Sequence, residues 1–210
     1  MDKITIVGCG PGSAKFMTQA GITAASQADF LIGNRRLLEL VNGAKGEKID
    51  TGVNIEKTIE CIGQKRKEGK VTLLVSGDPG LFSISRQVTQ KFGYKACDVI
   101  AGISSIQLAF AKLGISWDDA LIISAHATDP EVDEARAGQN RKIAVLLGRD
   151  ESIKWIDGFI KRIGGARGLF VCENLGLENE RFFETTSEKI GALKLASRTI
   201  VLLIDKELVN

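Results

Sequence analysis

The run Val71–Val75 (VTLLV) constrains the fold of this chain more than any other stretch. Drawn as a strand, it carries apolar side chains on both faces, and neither face can be left to water. Such a strand belongs in the middle of a parallel sheet with helices packed above and below. The surrounding sequence supplies both. Lys3–Val7 (KITIV), Ala28–Ile32 and Cys97–Ile100 read as further strands. Between them, one helix begins at Thr18 or slightly before and ends near Gln27, and Asn34 stands as an N-cap for RRLLELV. A third helix covers 55–67, with Ile55, Ile59 and Ile62 at helical spacing and Gly69 as its stop. Helices over Leu81–Phe92 and Ile106–Leu113 complete an alternation of strand and helix, which is the pattern of an open parallel sheet.

After GISWDD at 114–119 the pattern changes. Ala120–Ser124, Lys142–Leu147, Leu169–Glu173 and Thr199–Ile204 read as strands, and Arg181–Thr186 reads as an antiparallel excursion. Ile153–Ile163 places Ile153, Ile156, Phe159, Ile160 and Ile163 on one helical face beside Trp155, and Gly164-Gly165 ends it. Residues 187–195 predict another helix, whereas DPEVDEARAGQN reads as acidic and then turn-like. The expectation is an α/β protein of two domains, 1–115 and 116–210. Each is a mostly parallel or mixed sheet flanked by helices, with a ligand cleft between them.

Composition removes several functional classes. Lys and Arg number 28 against 26 Asp and Glu, so no charge excess calls for nucleic acid. Lys65-Arg66-Lys67 reads as a basic helix C-terminus. Cys9, Cys61, Cys97 and Cys172 are scattered without a close pair, which fits reduced thiols of a cytoplasmic protein and no metal site. No stretch approaches the roughly 20 apolar residues that cross a bilayer. MDKITIVG enters a strand at once, so no signal sequence and no membrane partner are expected.

Three glycine-bearing loops follow strands. GCGPGS at 8–13 lacks the last glycine of a dinucleotide fingerprint, since Ser13 stands there. Asp29 lies at the beginning of the second strand rather than its end, so a nicotinamide or flavin dinucleotide is disfavoured. The loop is then either a structural turn or the edge of a different ligand site. In SGDPG at 76–80, Pro79 biases Asp78 toward extended geometry, and Gly77 and Gly80 relax the backbone beside it. Asp78 has two readings: it accepts a hydrogen bond from a ligand, or it accepts nearby backbone amides. AGISS at 101–105 repeats the plan, with Ser104 suited to cap a helix. The bends after Val75 and Ile100 are expected to face each other across a groove that holds the ligand.

IVGCGPGS with Thr18, IGNRRLLE, LLVSGDPGLFSI, VIAGISSIQLAFAKLG, AVLLGR and CENLG, in this order, resemble the tetrapyrrole methylase family. The resemblance runs essentially end to end. It implies S-adenosylmethionine as methyl donor, leaving S-adenosylhomocysteine, and a corrin or porphyrinoid ring as acceptor. IGNRRLLE and ISSIQLAFAKLGISWDDALIISAH look most like the branch that methylates C5 of cobalt-precorrin-7 in oxygen-independent cobalamin biosynthesis. Carried residue by residue, the resemblance implies donor contacts at Pro11, Gly77, Asp78, Leu81, Ser104, Ser105, Leu147 and Leu175. It also implies a homodimer. Related chains are fused to a C15-methyltransferase and decarboxylase; here, with the chain stopping at Asn210, that activity is expected from a separate partner. Two departures stand out. Ser13 replaces the usual acid after GPG, and Ser124-Ala125-His126-Ala127 lacks the arginine of SLHGR.

Methyl transfer from a sulfonium requires alignment more than acid, metal or nucleophile, so the protein's task is positioning. Arg35, Arg36, Arg86 and Arg149 are candidates for the acceptor's acidic arms, with solvated helix charge as the competing reading. His126, the sole histidine, suits proton transfer, donation to an acceptor carboxylate, or loop packing. Cobalt, where present, arrives inside the substrate. The rival functions are methylation at another ring position and a non-catalytic small-molecule-binding module.

Overall fold

The computed structural model describes residues 3–209. These divide into two compact units, one ending at Ser104 and the other beginning at Ser105. The helix over 105–113 therefore belongs with the second unit, where it packs on the last strand. No helix among the described residues is long and apolar enough to cross a membrane.

The first unit runs β1 (Ile4–Gly8), α1 (Gln19–Ser26), β2 (Phe30–Gly33), α2 (Arg35–Leu40), β3 (Glu47–Asp50), α3 (Ile55–Lys65), β4 (Val71–Val75), α4 (Ser85–Phe92) and β5 (Cys97–Ile100). Its sheet has the order β3-β2-β4-β1-β5 and every pairing is parallel. All five residues of β4 are buried. Leu74 joins Val7, Leu31, Leu37 and Leu38 in a core on the α1/α2 side. Leu73 and Val75 join Ile4, Ile6, Ile32, Ile62 and Val88 on the α3/α4 side. The double-sided burial of VTLLV is thereby accounted for.

Short side chains start three of the helices. Thr18 Oγ1 accepts the Gly21 amide at 3.1 Å, Asn34 Oδ1 accepts Leu37 N at 3.1 Å, and Asn54 Oδ1 accepts Lys57 N at 2.9 Å. Each such cap is worth about 1 kcal/mol. Gly21 also lets α1 approach β1, since a Cβ there would lie 2.8 Å from Val7 Cγ1. Two features differ from expectation. β3 is an additional strand whose Glu47, Lys48 and Asp50 keep the sheet edge charged, so hydrophobic periodicity does not mark it. Helix α4 begins at Ser85 rather than Leu81, because Phe82 has φ of 47°, outside the right-handed helical region.

The second unit runs α5 (Ser105–Leu113), β6 (Leu121–Ala125), α6 (Glu134–Gly138), β7 (Lys142–Leu147), α7 (Glu151–Ile163), β8 (Arg167–Glu173), β9 (Arg181–Thr185) and β10 (Thr199–Asp205). Its sheet is mixed, in the order β6-β7-β10-β8-β9, with only β6 and β7 parallel. Ile156, Phe159 and Ile160 of α7 pack on Val145, Leu147, Val171 and Val201, and Trp155 stacks on Phe159 at 4.9 Å. Lys142 is buried at the start of β7. It donates to Ser116 O at 2.9 Å and pairs with Asp119, anchoring the SWDD loop. Residues 187–195 hold only a single 3-10 turn, Ile190–Ala192, instead of a helix. Gly191 in its middle weakens helix formation and sits against Asp157 of α7, where a Cβ would lie 3.0 Å from the carboxyl carbon. Conversely, DEARAG contains the short α6, which Asp133 caps by accepting Arg136 N at 3.0 Å.

Candidate functional site

In the first unit the chain leaves β1 toward β2 and leaves β4 toward β5, while β1 and β4 are neighbours. Their carboxyl ends flank the point where the winding reverses, the usual ligand position of an open parallel sheet. Here the two loops are stitched together. Cys9 N donates to Val75 O at 2.8 Å, Gly10 N to Gly77 O at 3.2 Å, and Gly77 N to Gly10 O at 2.8 Å. The loop after β5 joins them: Gly102 N donates to Asp78 Oδ2 at 3.0 Å, and Thr18 Oγ1 donates to Ala101 O at 3.4 Å.

The glycines make this junction sterically feasible. A Cβ on Gly8 would lie 2.6 Å from Gly102 N and 2.7 Å from Gly77 O, and a Cβ on Gly102 would strike the Gly77 carbonyl. Gly8 is thus explained by close approach of three backbones, and Gly10 by its left-handed φ of 74°, with no phosphate required. The expected groove between the bends after Val75 and Ile100 is corrected by the same contacts. At Gly77 and Gly102 the bends touch, so a ligand lodged between those glycines is excluded. The open part of the loop lies further along, where Gly80 is exposed and Leu81 half-buried.

Asp78 uses both carboxylate oxygens on backbone amides, accepting Gly80 N at 2.8 Å and Gly102 N at 3.0 Å. These two bonds are its amide-binding reading, and each oxygen can accept a second donor. Pro11 and Ser104 are buried beside these loops, and Ser104 Cα lies 3.8 Å from where a Gly77 Cβ would project. Phe82, three residues past Pro79, combines its left-handed backbone with 61% exposure. For a non-glycine residue that conformation costs about 1–2 kcal/mol.

The arginines separate. Arg36 is half-buried and its Nη2 donates to Ser76 Oγ at 3.2 Å, which brings it to the carboxyl end of β4. Arg35 points outward, its side chain 85% exposed and paired with Glu39 at 3.5 Å. Arg86 lies exposed on α4. Cys9, in the first glycine loop, has its thiol pushed up to about 12 by burial, against the lowering influence of Arg36. It remains protonated near neutrality and supplies no nucleophile.

In the second unit, the carboxyl ends of the parallel pair β6 and β7 place His126 beside Gly148. The imidazole occupies the space a Cβ on Gly148 would need, so the missing side chain seats the ring, which is otherwise exposed. Ser152 Oγ of α7 donates to Ala125 O at 2.7 Å and fixes the strand end before it. Arg149 Nη2 meets Asp129 Oδ1 at 2.6 Å, with Glu151 at 3.7 Å.

Next to Arg149 lies a pocket of about 240 Å³ walled by Leu147, Gly148, Ile153, Leu193 and Leu195 and by the backbone of 192–197. Glu173, 1% exposed at the end of β8, accepts Ala196 N at 2.6 Å and so holds that wall in place. Arg181 balances its charge at 2.9 Å. The 192–197 wall is absent from the sequence reading; an acid at the end of a buried strand was its one available signal. Leu175 is buried in the turn between Asn174 (φ 50°) and Gly176 (φ 79°), and Ser105 opens α5.

Residues 3–191 match the family of Tetrapyrrole (Corrin/Porphyrin) Methylases. The cobalt-precorrin-7 C(5)-methyltransferase of Salmonella typhimurium is 31% identical over 179 residues, covering 85% of this chain and 88% of that protein. A probable cobalt-precorrin-7 C(5)-methyltransferase of Methanocaldococcus jannaschii is 32% identical over 191 residues, covering 85% and 86%. Among solved structures, uroporphyrin-III C-methyltransferase of Thermus thermophilus, complexed with S-adenosylhomocysteine, has a TM-score of 0.79 at 19% identity, over 96% of this chain and 92% of that one. At that identity the likeness speaks for the fold alone. With a family match over residues 3–191, and relatives above 30% identity over most of its length, this chain belongs to the tetrapyrrole methylases and is a methyltransferase of that S-adenosylmethionine-using family of cobalamin biosynthesis.

Proposed function

We propose that this chain transfers the methyl group of S-adenosylmethionine to C5 of cobalt-precorrin-7, working in the cytoplasm as a homodimer. The observation that carries the ring position is the similarity to C5-methyltransferases across most of both chains. Physical features of the chain support the donor. The pocket beside Leu147 has apolar walls for the faces of a purine and a run of peptide groups at 192–197 for its polar edge. Leu147 and its neighbours would hold the adenine there. Gly77, Asp78, Leu81 and Ser104 of the first unit, with Pro11, Ser105 and Leu175, are the remaining candidate contacts. When bound, the donor supplies an electrophilic methyl group on a sulfonium.

What the chain itself contributes is fixed geometry. Asp78 ties two loops at the end of the first sheet, and Glu173 holds the wall of the pocket in the second unit. Arg36 and Arg149 are pre-oriented by Ser76 and Asp129, so neither loses much freedom on meeting an acidic arm of the acceptor. Arg35 lies more exposed and would act at longer range. His126, seated on Gly148 and accessible, is the candidate for accepting the proton that leaves C5 or donating to an acceptor carboxylate. A separate C15-methyltransferase and decarboxylase would carry out the adjacent steps.

The test is incubation with cobalt-precorrin-7 and methyl-labelled S-adenosylmethionine, followed by location of the label by NMR. Label at C5 is the expected result. Label at another carbon would retain the family and overturn the ring position. S-adenosylhomocysteine binding without transfer to any corrin precursor would favour the non-catalytic module.

A further inference from the structure

We propose that Phe82 is a platform on which the flat face of the acceptor macrocycle rests; the inference builds on the methyl-transfer reading above. Two features of this residue run against stability. Its backbone is left-handed at φ 47°, where glycine is favoured, and its phenyl ring is 61% exposed, where a polar group would serve better. The same loop uses glycine at 77 and 80, so the aromatic at 82 is no consequence of a loop averse to glycine.

The backbone that carries the ring is also held on both sides. On its N-terminal side Leu81 N donates to Asp78 O at 3.2 Å, and Asp78 is fastened by two amides. On its C-terminal side Ser83 Oγ accepts Ser85 N at 3.2 Å as α4 begins. A bend pinned at both ends thus presents an apolar face to solvent, with the strain and exposure offset only when something flat covers it.

The chemistry of the neighbourhood selects the occupant. Phe82 belongs to the loop that starts at Ser76, whose hydroxyl carries the Arg36 guanidinium. An apolar plate and a cation served by one loop match a ligand with a broad unsaturated face bordered by carboxylates. A purine has the face without the acids, and a peptide segment lacks the extended plane.

Uroporphyrin III, a stable octacarboxylate porphyrin, is the probe, titrated by fluorescence against the intact protein and against Phe82→Ala, Phe82→Gly and Phe82→Tyr. Ala and Gly are expected to weaken binding about tenfold and Tyr to preserve it, with S-adenosylhomocysteine affinity unchanged throughout. Phe82→Gly suits the left-handed backbone, so its thermal midpoint should equal or exceed that of the parent while porphyrin binding falls. Equal porphyrin affinity in parent and glycine variant would overturn the proposal, as would a parent that does not bind porphyrin. Loss of S-adenosylhomocysteine binding with porphyrin binding intact would move Phe82 to the donor side and also overturn it. Failure of the methyl-transfer reading looks different: label transfer is absent while porphyrin binding still depends on Phe82.

Discussion

Asp78 accepts the Gly102 amide at 3.0 Å, fastening the bend after β4 to the bend after β5 with a single carboxylate oxygen. Its other oxygen is occupied by Gly80 N at 2.8 Å. Asp78→Asn keeps the shape but turns one acceptor into a donor that must face an amide. A loss of about 1–3 kcal/mol is expected, and affinity for S-adenosylhomocysteine should fall with it because the loop is no longer held. Chemical denaturation and calorimetric titration check both. Normal stability with abolished donor binding would make Asp78 a direct ligand contact instead.

Gly77 and Gly102 should respond differently to alanine although they touch. At Gly77 the backbone is left-handed at φ 65°, but a Cβ would meet nothing closer than Ser104 Cα at 3.8 Å. Gly77→Ala should therefore cost only the conformational penalty, about 1–2 kcal/mol. At Gly102 the added carbon would run into the Gly77 carbonyl and lie 2.7 Å from the Gly8 backbone, atoms that cannot rotate away. Gly102→Ala should cost about 3 kcal/mol or more by denaturant midpoint. Equal costs would mean the three loops are not in contact in solution.

What could be read from the sequence follows physical range. Val71–Val75 and Lys142–Leu147 were legible to the residue because burial on both faces writes itself into composition. Asn34 was legible as a cap because the cap and its amide lie three residues apart. β3 was hidden because a charged edge strand carries no periodic signal. The helix expected over 187–195 failed on a tertiary contact, Gly191 against Asp157, which no local pattern encodes. The same holds at the site. The glycines of GCGPG and AGISS were visible, but that Gly8 and Gly102 make room for each other depends on β1, β4 and β5 lying side by side. The partner of Glu173, Ala196 at 23 positions' distance, was invisible for the same reason.

Adjacent arginines offer a sharp contrast. Arg35→Ala should leave stability within about 0.5 kcal/mol, since its pair with Glu39 is largely exposed. Arg36→Ala removes the guanidinium held by Ser76 and should weaken acceptor binding about tenfold, with donor affinity nearly normal. Porphyrin and S-adenosylhomocysteine titrations separate the two sides. A larger effect at Arg35 would reverse the assignment.

His126 can be displaced without being replaced. Its ring fills the space above Gly148, so Gly148→Ala must push the imidazole aside, an inexpensive move for an exposed side chain. If the seated position matters for turnover, Gly148→Ala should reproduce most of the rate loss of His126→Ala, with melting temperatures of both variants close to the parent. A strong defect in His126→Ala with normal turnover in Gly148→Ala would show that the ring works from another position.

The buried thiols predict a decline of stability in alkali. Cys9 and Cys172 are fully buried, and burial pushes both pKa values up to about 12; Glu180 adds to the rise at Cys172, against the opposing charge of Lys112. An unfolded thiol ionises near 8.5, so above that pH the unfolded chain sheds a proton that the folded chain keeps. The folded state then binds more protons, and stability falls with rising pH by up to about 1.4 kcal/mol per unit for each thiol, until the folded value is passed. Below pH ~8 both states are protonated and the contribution is flat. Cys172→Ala removes one titrating group at the cost of a small cavity that is indifferent to pH. Its stability deficit relative to the parent, measured by urea denaturation, should therefore shrink between pH 8 and 10.5 (roughly the window above the unfolded value). A deficit that stays constant across that window would mean that Cys172 ionises in the folded protein as readily as in the unfolded chain.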